Sequence, residues 1–109
     1  MPSHLFSEKK HLKILKKFIQ DQLKPTKIED VIPTDKYQYD EDGYLHFIIV
    51  LPPEGKRPEV EKRIYLGLRI QDKFQKEDFN LTPIFQFGTA KELKNLGYGN
   101  DLKRAGHAA

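Results

Sequence analysis

The sequence predicts an α+β domain: an N-terminal helix, a four-stranded, mainly antiparallel sheet and a short C-terminal helix. Three observations carry this. Tyr44 to Leu51, YLHFIIVL, is apolar on both alternating faces, with His46 as the single polar interruption. A strand that is greasy on both sides must be covered on both sides, which places it near the middle of a sheet. Ser7 to Lys24 instead repeats its apolar residues at helical spacing. Finally, Ile64, Leu66, Leu68 and Ile70 alternate strictly with Arg63, Tyr65, Gly67 and Arg69, the period of a strand.

In the first helix, Leu12, Leu15, Ile19 and Leu23 form one stripe flanked by Phe18, and Ile14 falls off it. Ser7 suits the N-cap and Glu8 the first turn. Pro25 ends the helix, because the residue before a proline is pushed out of the α region. Lys9, Lys10, Lys13, Lys16, Lys17 and Lys24 gather on a single flank about 120° wide.

Val31 and Ile32 give a weak strand signal, interrupted by Pro33. Tyr37 and Tyr39 then alternate with polar residues, and Asp40-Glu41-Asp42-Gly43 reads as a turn, so a hairpin is expected from about Lys36 to Leu51. Three prolines within Pro52 to Pro58 make a stiff loop.

Residues 60–74 carry conflicting signals. Their Glu, Lys, Arg and Gln content suits a helix, with Pro58 near a first turn. Their alternation suits a strand, and a mis-set period would bury charge. The strand is the expectation. A helix would change the order to α-β-β-α-β, a two-layer sandwich.

Phe79 to Phe87 is the fourth strand. Pro83 lacks a ladder donor and so assigns it to a sheet edge, and Gly88 is expected to end it. Thr89 and Glu92 make a capping-box pattern for a short helix over Ala90 to Leu96, which Gly97 stops. Residues 1–6 and 101–109 are expected to fray.

At 109 residues with 38% apolar content, one domain with a modest core is expected. There is no cysteine, which excludes disulfides, thiol catalysis and thiolate metal sites. No segment approaches the roughly 18 apolar residues of a membrane helix, and the N-terminus lacks a secretory h-region. The default expectation is cytoplasmic, away from membranes. The net charge is +3, distributed as +5 over residues 1–27, −5 over 28–60 and +3 over 61–109. That basic–acidic–basic layout fits a polyanion-binding face or a self-complementary surface.

Reactive constellations are sparse. His4, His11, His46 and His107 show no metal-ligand spacing, and His46 reads as a satisfied buried polar group. The acidic turn lacks the periodicity of a calcium loop. Gly97-Tyr98-Gly99-Asn100 lacks the longer fingerprint of a phosphate cradle. No nucleophile elbow, metalloprotease motif, paired catalytic carboxylates or P-loop is present. The expected function is therefore a non-catalytic binding module without metal or cofactor. The leading ligand is RNA or single-stranded nucleic acid. Its phosphates would lie along Lys9, Lys10, Lys13, Lys16 and Lys17, and its bases would stack on a sheet face carrying Arg63, Tyr65 and Arg69. The alternative is a protein-interaction or self-assembly module using the edge strand near Pro83.

Overall fold

The computed structural model describes residues 9–34, 44–54, 57–75 and 82–107. The element order is α1 (Lys9–Leu23), β1 (Asp30–Pro33), β2 (Tyr44–Leu51), α2 (Val60–Gln75), β3 (Thr82–Thr89), α3 (Ala90–Leu93), a π-helical turn over Lys94–Tyr98 with a kink at Gly97, and α4 (Gly99–Arg104). The proposed Ser7 cap, the hairpin turn at Asp40–Gly43 and the start of the Phe79 strand lie outside the described residues.

Residues 60–75 form a helix, which corrects the expectation of a strand there. The physical reason is visible in the burial. Leu66 and Ile70, four residues apart, point inward, while Ile64 and Leu68, also four apart, point outward. Two opposite apolar stripes on one helix, offset by two residues, counterfeit a period of two. The helix-forming composition of the segment wins once no charge has to be buried deeply.

That single change reshapes the sheet. Among the described residues it has three strands in the order β1-β2-β3, not four. β1 pairs antiparallel with β2, from Asp30 opposite Val50 to Pro33 opposite Phe47. β3 pairs parallel with β2, from Tyr44 beside Thr82 to Leu51 beside Thr89. The expected antiparallel pairing fails here because α2 carries the chain back to the starting end of the sheet, as a helical crossover does. The order α-β-β-α-β is realised, with a third layer added by the C-terminal helices.

β2 is the centre strand, and its two faces divide the core. Phe47, Ile49 and Leu51 pack with Leu15, Ile19 and Leu23 of α1, Leu66 and Ile70 of α2, Val31 of β1 and Phe87 of β3. Ile48 and Val50 face the other way, onto Ile32, Leu93 and Leu102. Burying such side chains is worth roughly 1.5–3 kcal/mol each. Ile14, off the α1 stripe, is exposed.

Among the described residues β3 lies at a sheet edge, as Pro83 requires, but Gly88 does not end it. A Cβ on Gly88 would lie 3.1 Å from Leu93 Cγ, so the glycine admits the side chain that begins the third layer. Thr89 caps α3: its hydroxyl accepts from Glu92 N at 3.2 Å, and Glu92 Oε1 accepts from Thr89 N at 3.0 Å. Beyond Gly97, at φ 99°, α4 turns back over β1. Leu102 and Asp101 are buried, so the chain is docked past residue 101, where fraying was expected.

Candidate functional site

The sequence assigned five lysines to a flank of the first helix and Arg63, Tyr65 and Arg69 to a sheet face; the structure keeps Lys13, Lys16 and Lys17 together and separates Arg63 from Tyr65 and Arg69. Lys13, Lys16 and Lys17 are exposed together on the flank of α1 that turns away from α2. They border a shallow basin of about 310 Å³ floored by Ile28, with Gln20 and Asp21 on its rim. Lys16 also lies 3.4 Å from Asp30. Lys9 and Lys10 fall in the first turn of the same helix.

Arg63, Tyr65 and Arg69 are not on a sheet face. Because residues 60–75 are helical, Arg63 points about 120–160° away from the other two around the helix axis. It is half-buried, and its Nε is buried without a hydrogen-bond partner. Tyr65 and Arg69 line a groove of about 710 Å³ between α1 and α2, with Phe18, Gln22, Leu68, Asp72 and Lys73. Arg69 Nη1 donates to Gln22 Oε1 at 2.7 Å, and Lys73 Nζ sits 5.3 Å from the centre of the Phe18 ring. These contacts lock the groove's cations to α1. The alternating arginine–tyrosine platform for stacked bases is therefore absent.

His46 behaves as a buried structural group. Its Nδ1 is 2.6 Å from Thr34 Oγ1, and its ring stacks on Tyr98 at 6.0 Å between centroids. Burial pushes its pKa below the usual 6.5, and the nearby Asp101 charge pulls partly the other way. Arg104 closes this side, donating to Asp101 Oδ1 at 3.0 Å and to the Pro33 carbonyl at 2.8 Å. The cluster joins β1, β2 and α4. Among the described residues, no group of acids and histidines is arranged to hold a metal ion.

The surface that sequence reasoning missed is the outer side of α2. Val60, Ile64, Tyr65 and Leu68 are all 54–63% exposed. Val60, Ile64 and Leu68 repeat every four residues, so they form one continuous stripe along the helix. This spacing was the available signal. It was masked because the inward stripe runs between its members.

The neighbouring sheet edge is also open. Among the described residues β3 pairs with β2 alone, and Ile84, on its face away from α2, is 43% exposed. No protein-family model, curated protein or solved structure matches the chain. Among the described residues, no helix is long and apolar enough to cross a membrane.

Proposed function

We propose that this chain is a non-catalytic binding module that associates with protein through the outer side of α2. The observation that carries this is the stripe of Val60, Ile64 and Leu68 with Tyr65 beside it. Single exposed apolar residues are ordinary, but four on one helix of a small domain make a contiguous patch of the kind that marks an association surface. Gln71, Glu61 and Asp72 are interspersed along the same arc of the helix, and polar groups of this kind are ordinary within a non-obligate interface.

The test is the size of the particle in which the chain travels in an extract of cells that express it. The chain carrying both Ile64→Glu and Leu68→Glu is expected to elute at its own 12.8 kDa, and the unaltered chain in something larger. Elution of both at 12.8 kDa would refute the reading.

A second reading, nucleic-acid association, is supported by the exposed lysines of α1. Ammonium groups along a helix suit a phosphate backbone, and each contact adds to the salt dependence. With the stacking platform gone, this reading implies weak binding without base preference. Changing Lys13, Lys16 and Lys17 together to Glu should abolish retention of a labelled single-stranded oligonucleotide at low salt. Undiminished retention would end that reading.

A further inference from the structure

We propose that the protein partner is a second copy of this chain, joined across a twofold axis so that β3 pairs with β3 and α2 packs beside α2. The proposal rests on the reading of α2 as an association surface and names what covers it.

α2 lies over β3: a Cβ on Gly67 would be 3.6 Å from the Phe85 ring. α1 flanks α2 on its Arg69–Lys73 side, through Arg69 to Gln22 and Lys73 to Phe18. The opposite side of α2, which carries Val60 and Ile64, therefore faces outward beyond the edge of β3, while Leu68 and Tyr65 turn toward the α1 groove. Two unsatisfied features thus share one side of the molecule. One is an apolar helix stripe, and the other is a strand edge with backbone donors and acceptors that no described strand engages.

One symmetry operation satisfies both. A twofold axis beside β3 sets the two edge strands antiparallel and extends the sheet to six strands in the order β1-β2-β3-β3-β2-β1. It also brings the two α2 stripes together above that junction and the two Ile84 side chains together below it. Self-pairing suits such an edge because an isologous contact needs only one surface to be right. Pro83 removes one donor from the edge and leaves the rest of the eight-residue strand available.

The available area sets the size class of this contact. A 16-residue helix and an eight-residue strand present an edge about 25 Å long and about 20 Å deep. That is roughly 500 Å² per copy and roughly 1,000 Å² in all, at the threshold for a specific interface. An interface of this size belongs with weak, exchanging contacts rather than permanent assemblies.

Sedimentation velocity of the purified full chain, from about 1 μM to about 1 mM, spans weak to moderate association and tests this. The expected result is a concentration-dependent shift from 12.8 kDa to twice that mass. Ile64→Glu should weaken dimerisation about a hundredfold or more, since it replaces a buried apolar contact by a charge. Ile84→Lys, which charges the edge, should weaken it as well. Hydrogen exchange of the unaltered chain supplies a variant-free check: amides of β3 should become more protected as concentration rises. A purified chain that stays monomeric at the highest concentration overturns the proposal, as does a dimer indifferent to either substitution. Monomeric purified protein that still travels in a large particle in extracts would overturn the second copy as partner while leaving association through α2 standing.

Discussion

Gly67 of α2 lies against Phe85 of β3, close enough that a Cβ on the glycine would sit 3.6 Å from the ring. This contact sets α2 directly over the edge strand. It continues inward, because Phe85 stacks on Phe47 of the centre strand at 5.3 Å between ring centroids. The remaining space is ordinary contact distance for a methyl group and too little for a larger side chain. Gly67→Ala is therefore expected to stabilise the domain by about 0.5–1 kcal/mol, the helix-interior cost of glycine. Gly67→Leu should destabilise it by forcing α2 away from Phe85, at about 1–3 kcal/mol. Urea unfolding of both variants measures the pair.

His46 makes stability depend on pH. Its folded pKa lies below 6.5 because burial disfavours the imidazolium. An unfolded chain then binds the proton more readily than the folded one. Stability is complete above 6.5 and is lost as pH falls through the lower folded value. His46→Gln should flatten this part of the curve while costing stability at neutral pH. Chemical unfolding between pH 7.5 and pH 5 supplies the comparison. An unchanged slope in the variant would remove His46 as its source.

Asp30 acts in a more acidic window. Burial alone would raise its pKa, but hydrogen bonds from His107 and from the Val31 N–H, with the Lys16 charge, outweigh this and hold it below the usual 3.8. His107 Nε2 is 2.8 Å from Asp30 Oδ2, and Val31 N donates to Oδ1 at 2.8 Å. A depressed carboxylate pKa contributes stability that is present above 3.8 and lost as pH falls through the folded value. Asp30→Asn should therefore weaken the domain at neutral pH and lose that acid-dependent portion. The readout is the unfolding midpoint followed from pH 5 to pH 2.

Thr89 holds the turn between the sheet and the third layer. Thr89→Ala deletes the hydroxyl that accepts from Glu92 N and should cost about 1 kcal/mol. For a domain near this size that lowers the melting temperature by roughly 4–8 °C. Thr89→Ser should retain most of the stability, because it keeps the oxygen.

Much of the frame was legible in the sequence because those residues obey one rule each. YLHFIIVL is the centre strand, and its Phe47 to Leu51 portion is buried on both faces. The α1 stripe needs only its 3.6-residue period, and Thr89 and Glu92 need only their spacing. Where reading failed, two demands fell on the same residues. Residues 60–75 bury Leu66 and Ile70 while exposing Ile64 and Leu68, and the sum of the two stripes reads as a strand. With it went the fourth strand, the antiparallel β2–β3 pairing and the arginine–tyrosine face. Lys13, Lys16 and Lys17 stay side by side because their placement depends on α1 alone. Local pattern and global fold disagreed at the surface proposed for association, and functional demands are expected to override folding rules at such places.

The paired unfolding of Ile64→Ala and Leu66→Ala, at protein concentrations low enough to hold the chain monomeric, tests the central claim most directly. A helix with an outward stripe predicts that Leu66→Ala costs about 2–5 kcal/mol and Ile64→Ala stays within about 0.5 kcal/mol, as for a surface position. Equal and large costs at both positions would put Ile64 and Leu66 on one buried face, and would contradict the helix, its free side and the association assigned to it.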